Sequence, residues 1–78
     1  MTRKDYVAIA ERFRLAKKEV DAFYEDQELT DITASIRHGY LEALRDMADD
    51  LSQLFADDNP RFDNHRFQDA CQLELDLH

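Results

Sequence analysis

The stretch Arg3-Lys4-Asp5-Tyr6-Val7-Ala8-Ile9-Ala10-Glu11-Arg12-Phe13-Arg14-Leu15-Ala16-Lys17-Lys18-Glu19-Val20-Asp21-Ala22-Phe23-Tyr24-Glu25 decides how this chain is read. Within it Tyr6, Ile9, Phe13, Ala16, Val20 and Phe23 recur at spacings of three and four. That period places them on one side of an α-helix as a coiled-coil-like stripe, widened by Ala10 and Tyr24. Glu11, Arg12, Arg14, Lys18, Asp21 and Glu25 fall on the outer face. Thr2 stands ahead of the stripe as a cap, with Asp5 at capping-box spacing. A first helix over 3–25 follows.

After this helix, Glu25-Asp26-Gln27-Glu28 breaks the pattern and reads as a connection. Thr30 or Asp31 then caps a second helix. Its apolar positions are Ile32, Ile36, Tyr40, Leu44, Met47 or Ala48, Leu51, and Leu54 with Phe55, which predicts a helix over 31–56. Gly39 sits in its middle at a cost of roughly 1 kcal/mol relative to Ala, and implies close packing against the first helix or a mild bend. Asp57-Asp58-Asn59-Pro60 stops the helix, because the residue before proline is pushed out of helical geometry and acidic groups oppose the negative end of the dipole. Asp63 caps a short third helix over 64–71, with Phe62 and Phe67 at hydrophobic-staple spacing, Ala70 and Cys71 on its apolar face, and Arg66 and Gln68 outward. The tail 72–78 alternates apolar and acidic residues, leaving its conformation open between helix extension, a segment across the core and a frayed end. The expected fold is all-α: an antiparallel helical hairpin plus a short third helix, a single small three-helix domain over 1–78.

Charge divides the chain unevenly. The net charge is −8, with 36% charged and 44% apolar residues, a balance that suits amphipathic helices better than disorder. Residues 1–18 hold six basic and two acidic groups, whereas residues 19–78 hold four basic and sixteen acidic ones. An acidic body disfavours direct nucleic-acid binding, which needs cationic contact with phosphate, although the basic first helix leaves a local contact as an alternative. No run approaches the ~20 apolar residues of a membrane span, and Glu11, Arg12 and Arg14 interrupt any signal core. The single cysteine, Cys71, fits a reducing compartment. The expected location is the cytoplasm, without membrane association.

Residues 59–71, Asn59-Pro60-Arg61-Phe62-Asp63-Asn64-His65-Arg66-Phe67-Gln68-Asp69-Ala70-Cys71, carry the pattern DNP-x-FD-x-x-RF-x-x-AC together with Asp58. This resembles the ending of a group of short phage, prophage and mobile-element proteins, and Met1 to Tyr6 with Ile9-Ala10 resembles their start. The resemblance covers about a third of the chain, at its two ends. A glycine often follows the cysteine in that group as a helix stop; Gln72 takes its place here. The resemblance implies a mobile-element origin, hence a bacterial host cytoplasm, and supplies no activity.

Chemistry is sparse. His38, His65, His78 and Cys71 lack the paired spacing of a structural zinc site, so a surface histidine and a buried core cysteine are the simpler reading. Asp57-Asp58-Asn59 resembles the start of a calcium loop, but Phe62 stands where the glycine belongs and Gln68 where the closing glutamate belongs. Ser35 and Ser52 lie within a helix, His65 and Cys71 are six apart, and one glycine cannot build a phosphate loop. The expectation is a protein that is not an enzyme and uses no metal or cofactor.

What remains is surface. Glu42, Asp46, Asp49, Asp50 and Asp57 fall largely on the side of helix two away from its leucines, where they either keep a small protein soluble or face a basic partner. The function expected from this is a non-catalytic protein-binding module. Its acidic, nucleic-acid-mimicking helix face would engage a host nucleic-acid-binding protein of defence or replication. The alternative is a self-assembling helical protein, a homodimer through Phe13, Val20 and Phe23, since eight aromatic residues exceed what so small a core hides.

Overall fold

The computed structural model describes residues 2–73 and contains three helices in the order α1 (Arg3–Glu25), α2 (Asp31–Asp58) and α3 (Asn64–Cys71), with no strand among the described residues. The domain is all-α, a long hairpin with a short helix folded across one end. Each start has a local cause. At α1 the Asp5 carboxylate accepts the Thr2 backbone N–H at 3.0 Å and the Thr2 hydroxyl at 3.2 Å, and these hydrogen bonds hold the Asp5 carboxyl below its ordinary pKa. At α2 the cap is Thr30, whose N–H donates to Thr33 Oγ1 at 2.9 Å while its own Oγ1 accepts the Thr33 N–H at 3.2 Å. At α3 the Asp63 Oδ1 accepts the Arg66 N–H at 3.0 Å.

The second helix runs to Asp58, two residues past the predicted 56. Only Asn59 is displaced by the following proline, and it is Asn59 that leaves helical geometry (φ −140°, ψ 108°). Asp57 and Asp58 are exposed, so water screens their unfavourable position at the dipole's negative end. Gly39 neither packs against α1 nor interrupts α2: a Cβ built there meets nothing within 4 Å. The predicted close contact is therefore absent, because Gly39 faces open space.

The core lies at the α3 end. Ala10 and Phe13 from α1, Ala48 and Phe55 from α2, Phe67 and Cys71 from α3, and Leu73 beyond it are buried together. Tyr6, Ile9, Leu44, Leu51 and Phe62 flank them. Phe55 stands at the centre of an aromatic cluster, its ring centroid 5.0 Å from Tyr6, 5.5 Å from Phe62 and 5.6 Å from Phe67. The Phe62–Phe67 pair is edge-on at 5.6 Å, the staple the spacing anticipates. Toward the hairpin turn the packing thins to the buried Tyr24 and Leu41, with Arg37 Nη2 reaching across to Asp21 Oδ1 at 2.7 Å.

Both predicted stripes drift. Phe23 is exposed and Tyr24 is buried in its stead. A 3.5-residue seam rotates by about 20° per heptad on a straight α-helix, and between Tyr6 and Phe23 that rotation carries the last position out of contact. On α2 the apolar positions split into two faces. Leu41 (outside the predicted set), Leu44, Ala48, Leu51 and Phe55 turn inward, whereas Ile32, Ile36, Tyr40, Met47 and Leu54 turn outward. The apolar arc of α2 is wider than α1 and α3 together cover. Gln68, read as outward, is half-buried: its Nε2 donates to Ser52 Oγ at 2.9 Å and to Asp49 Oδ1 at 2.8 Å, linking α3 to α2 and satisfying the buried serine. Ala70, assigned to the apolar face, is exposed.

Gln72 closes α3 in the left-handed region (φ 52°, ψ 43°), with its N–H on the Asp69 carbonyl at 3.2 Å. The position thus has the backbone of a glycine stop without the glycine. Because left-handed geometry costs a non-glycine residue about 1 kcal/mol, Gln72→Gly is expected to raise stability by about that amount, read from urea unfolding at matched protein concentration. The tail reading for residues 74–78 lies outside the described residues.

Candidate functional site

The five acidic positions singled out above share one side of α2. Taking 100° per residue, Glu42, Asp46, Asp49, Asp50 and Asp57 fall within an arc of roughly 100°, opposite the inward Leu41, Ala48 and Phe55. All five are exposed. They extend over roughly 22 Å of helix axis at the usual 1.5 Å rise. Two are held in place: Asp49 accepts from Gln68, and Glu42 Oε1 lies 3.1 Å from His38 Nε2. Asp46, Asp50 and Asp57 have no ion pair among the described residues.

The residues expected to drive self-association do not form a common surface. Phe13 is buried in the chain's own core, Val20 is half-buried, and only Phe23 is exposed. Phe13 is unavailable to a second chain because Ala10, Phe55 and Phe67 belong to the same buried cluster. The larger uncovered apolar surface is on α2: Ile32, Ile36, Tyr40, Met47 and Leu54 are between 46% and 72% exposed. Sequence spacing marked these positions as apolar but could not say which of them α1 would cover.

The basic first helix is partly neutralised within the chain. Arg14 Nε donates to Glu11 Oε2 at 2.9 Å, and this pair lowers the Glu11 pKa and raises that of Arg14. Lys17 Nζ donates to Asp21 Oδ2 at 3.3 Å. Phosphate-binding capacity is correspondingly reduced, although Arg3, Lys4, Arg12 and Lys18 make no ion pair among the described residues.

A cleft of about 540 Å³ opens between the start of α1, the 59–63 connection and α3, with Tyr6, Val7, Phe62 and Phe67 as its apolar lining and Arg3, Arg61 and Arg66 at its polar edge. The Tyr6 hydroxyl is buried without a hydrogen-bond partner among the described residues. Neither His65 nor Cys71 lines this cleft. Cys71 is fully buried, and its desolvation pushes the thiol pKa up to about 11, the opposite of an activated nucleophile. Among the described residues no three His, Cys, Asp or Glu side chains come together as a metal-binding group, and no helix is long and apolar enough to cross a membrane.

No protein-family model matches the chain, and no curated protein or solved structure matches it either. The chain's most distinctive arrangement of side chains is the outer side of α2, where an acidic row runs beside an apolar stripe.

Proposed function

We propose that this chain is a non-catalytic protein-binding module that presents the acidic face of α2 to a basic protein surface. The observation that carries the reading is the shared, exposed arc of Glu42, Asp46, Asp49, Asp50 and Asp57, set opposite the buried side of the helix. Five carboxylates over roughly 22 Å stand on average about 5–6 Å apart along a rigid rod, within a factor of two of the phosphate rise of about 3.4 Å along one strand of duplex DNA. A groove built to bind nucleic acid attracts such a row by the same long-range field that attracts phosphate. The partner class is thus a nucleic-acid-binding protein, and the resemblance of residues 58–71 to mobile-element proteins makes a host defence or replication factor the natural setting.

The test replaces Glu42→Gln, Asp46→Asn, Asp49→Asn and Asp50→Asn together and measures binding to a partner captured from host lysate and then purified. Wild-type affinity is expected to fall at least ~10-fold between 50 and 200 mM salt, as competing ions screen exposed charge. The quadruple variant is expected to lose binding at low salt. Equal binding by the two chains, or affinity indifferent to salt, overturns the proposal.

A further inference from the structure

The outer stripe of α2 and the overall shape of the molecule carry a second conclusion. Ile32, Ile36, Tyr40, Met47 and Leu54 step along α2 by fours and sevens and fall within roughly 80° of one another around its axis. The molecule is a rod, 44 × 18 × 17 Å, with a radius of gyration of 14.1 Å. A compact domain of this length would have a radius near ~11.5 Å. The chain exposes 6180 Å², against roughly 4,900 Å² expected of a folded monomer of 9.2 kDa. The excess, roughly 1,250 Å² spread over the whole elongated chain, leaves room for the ~800 Å² that each partner gives up in a standard stable interface.

We infer that a second copy of this chain covers the stripe, with the two α2 helices antiparallel about a two-fold axis near Ala43. Charge selects the direction. Residues 31–44 of α2 hold two acidic groups and one arginine, whereas residues 45–58 hold five acidic groups and one arginine. A parallel pair lays the acidic halves side by side; an antiparallel pair sets each against the sparsely charged half. The register follows from the stripe. Its ends, Ile32 and Leu54, lie equally far from Ala43, as do Gly39 and Met47, so a self-complementary pair places Met47 of one copy over Gly39 of the other. Gly39 has open space above it within its own chain. A mid-helix glycine that packs against nothing within its own chain thus gains a use.

Dimer formation deepens the proposed function without depending on it. An axis normal to the plane of the two helices keeps each acidic row on the same side, so the pair offers Glu42, Asp46, Asp49 and Asp57 of each copy on one face and both α1 helices on the other, with Asp50, at the same angle as Ile32, bordering the seam. Partner binding weakens with added salt. Self-association strengthens, because screening relieves repulsion between the acidic flanks.

Analytical ultracentrifugation of the full chain tests this without any partner. The mass is expected to rise with concentration from 9.2 kDa toward twice that value, and to rise further with salt. Ile36→Glu with Met47→Glu is expected to hold the monomer at every concentration while leaving the helical circular dichroism unchanged, since both positions are exposed. A mixture of Ile32→Cys chains with Leu54→Cys chains is expected to oxidise to the mixed disulfide in preference to either homodimer; the native Cys71 is buried and does not compete. A wild-type chain that stays at 9.2 kDa, a double variant that still associates, or preferential Ile32→Cys homodimers would each overturn the inference. Failure of the partner assay with an intact dimer would count against the proposed function alone.

Discussion

Phe55→Ala is expected to cost the chain about 3–5 kcal/mol, a large part of its stability. The side chain is 6% exposed and meets three rings, those of Tyr6, Phe62 and Phe67, within 5.6 Å. It therefore joins all three parts of the core: α1, the 59–63 connection and α3. Truncating a buried phenylalanine costs about 3–5 kcal/mol, because the lost transfer energy is compounded by a cavity the neighbours refill only in part. A domain of this length has in total about 4–12 kcal/mol. The urea midpoint of the helical signal should fall to match, at a protein concentration held constant because self-association is linked to folding. A change below ~1 kcal/mol would show that the aromatic cluster is not what holds α3 in place.

The second large effect is chemical. Burial raises the Cys71 thiol from 9.0 to about 11. A rise of that size leaves roughly 100-fold less thiolate at pH 8 than in the unfolded chain, and burial of the sulfur slows attack further. Alkylation by iodoacetamide, followed by mass spectrometry, is expected to be at least ~100-fold slower in buffer than in urea. Stability acquires a pH dependence from the same cause. A thiol whose folded pKa is raised adds stability that is complete below the unfolded value and is lost as pH rises, so stability should decline between pH 9.0 and about 11. Rapid alkylation in buffer would mean that α3 opens readily from the hairpin.

Local chemistry was the legible part of this fold. Thr2, Thr30 and Asp63 announce helix starts because a cap needs only a side chain and an N–H three residues on. Asn59-Pro60 announces the stop because the clash is between neighbours. The common face of Glu42, Asp46, Asp49, Asp50 and Asp57 was legible for the same reason, since the helical period alone places them. The inward register of α2 was not. Ile36, Tyr40 and Leu54 satisfy the same spacing rule as Leu44, Leu51 and Phe55, and two helices lack the width to cover both sets. Phe23 and Tyr24 are adjacent and both aromatic, so only the accumulated rotation of α1 decides between them. The Gln68 bridge to Ser52 and Asp49 spans sixteen and nineteen residues, and no local pattern marks it. Gln72 conceals its left-handed backbone because the residue type gives no hint of it.

The acidic side of α2, on this account, is the surface a partner protein meets. Carboxyl labelling with a carbodiimide and an amine, carried out on the free chain and on its complex with the purified partner, tests this residue by residue. Glu42, Asp46, Asp49, Asp50 and Asp57 are expected to lose most of their labelling in the complex, while Asp26 and Glu28 at the hairpin turn keep theirs. Unchanged labelling along α2, or protection confined to Asp5 and Glu11 on α1, would contradict the account.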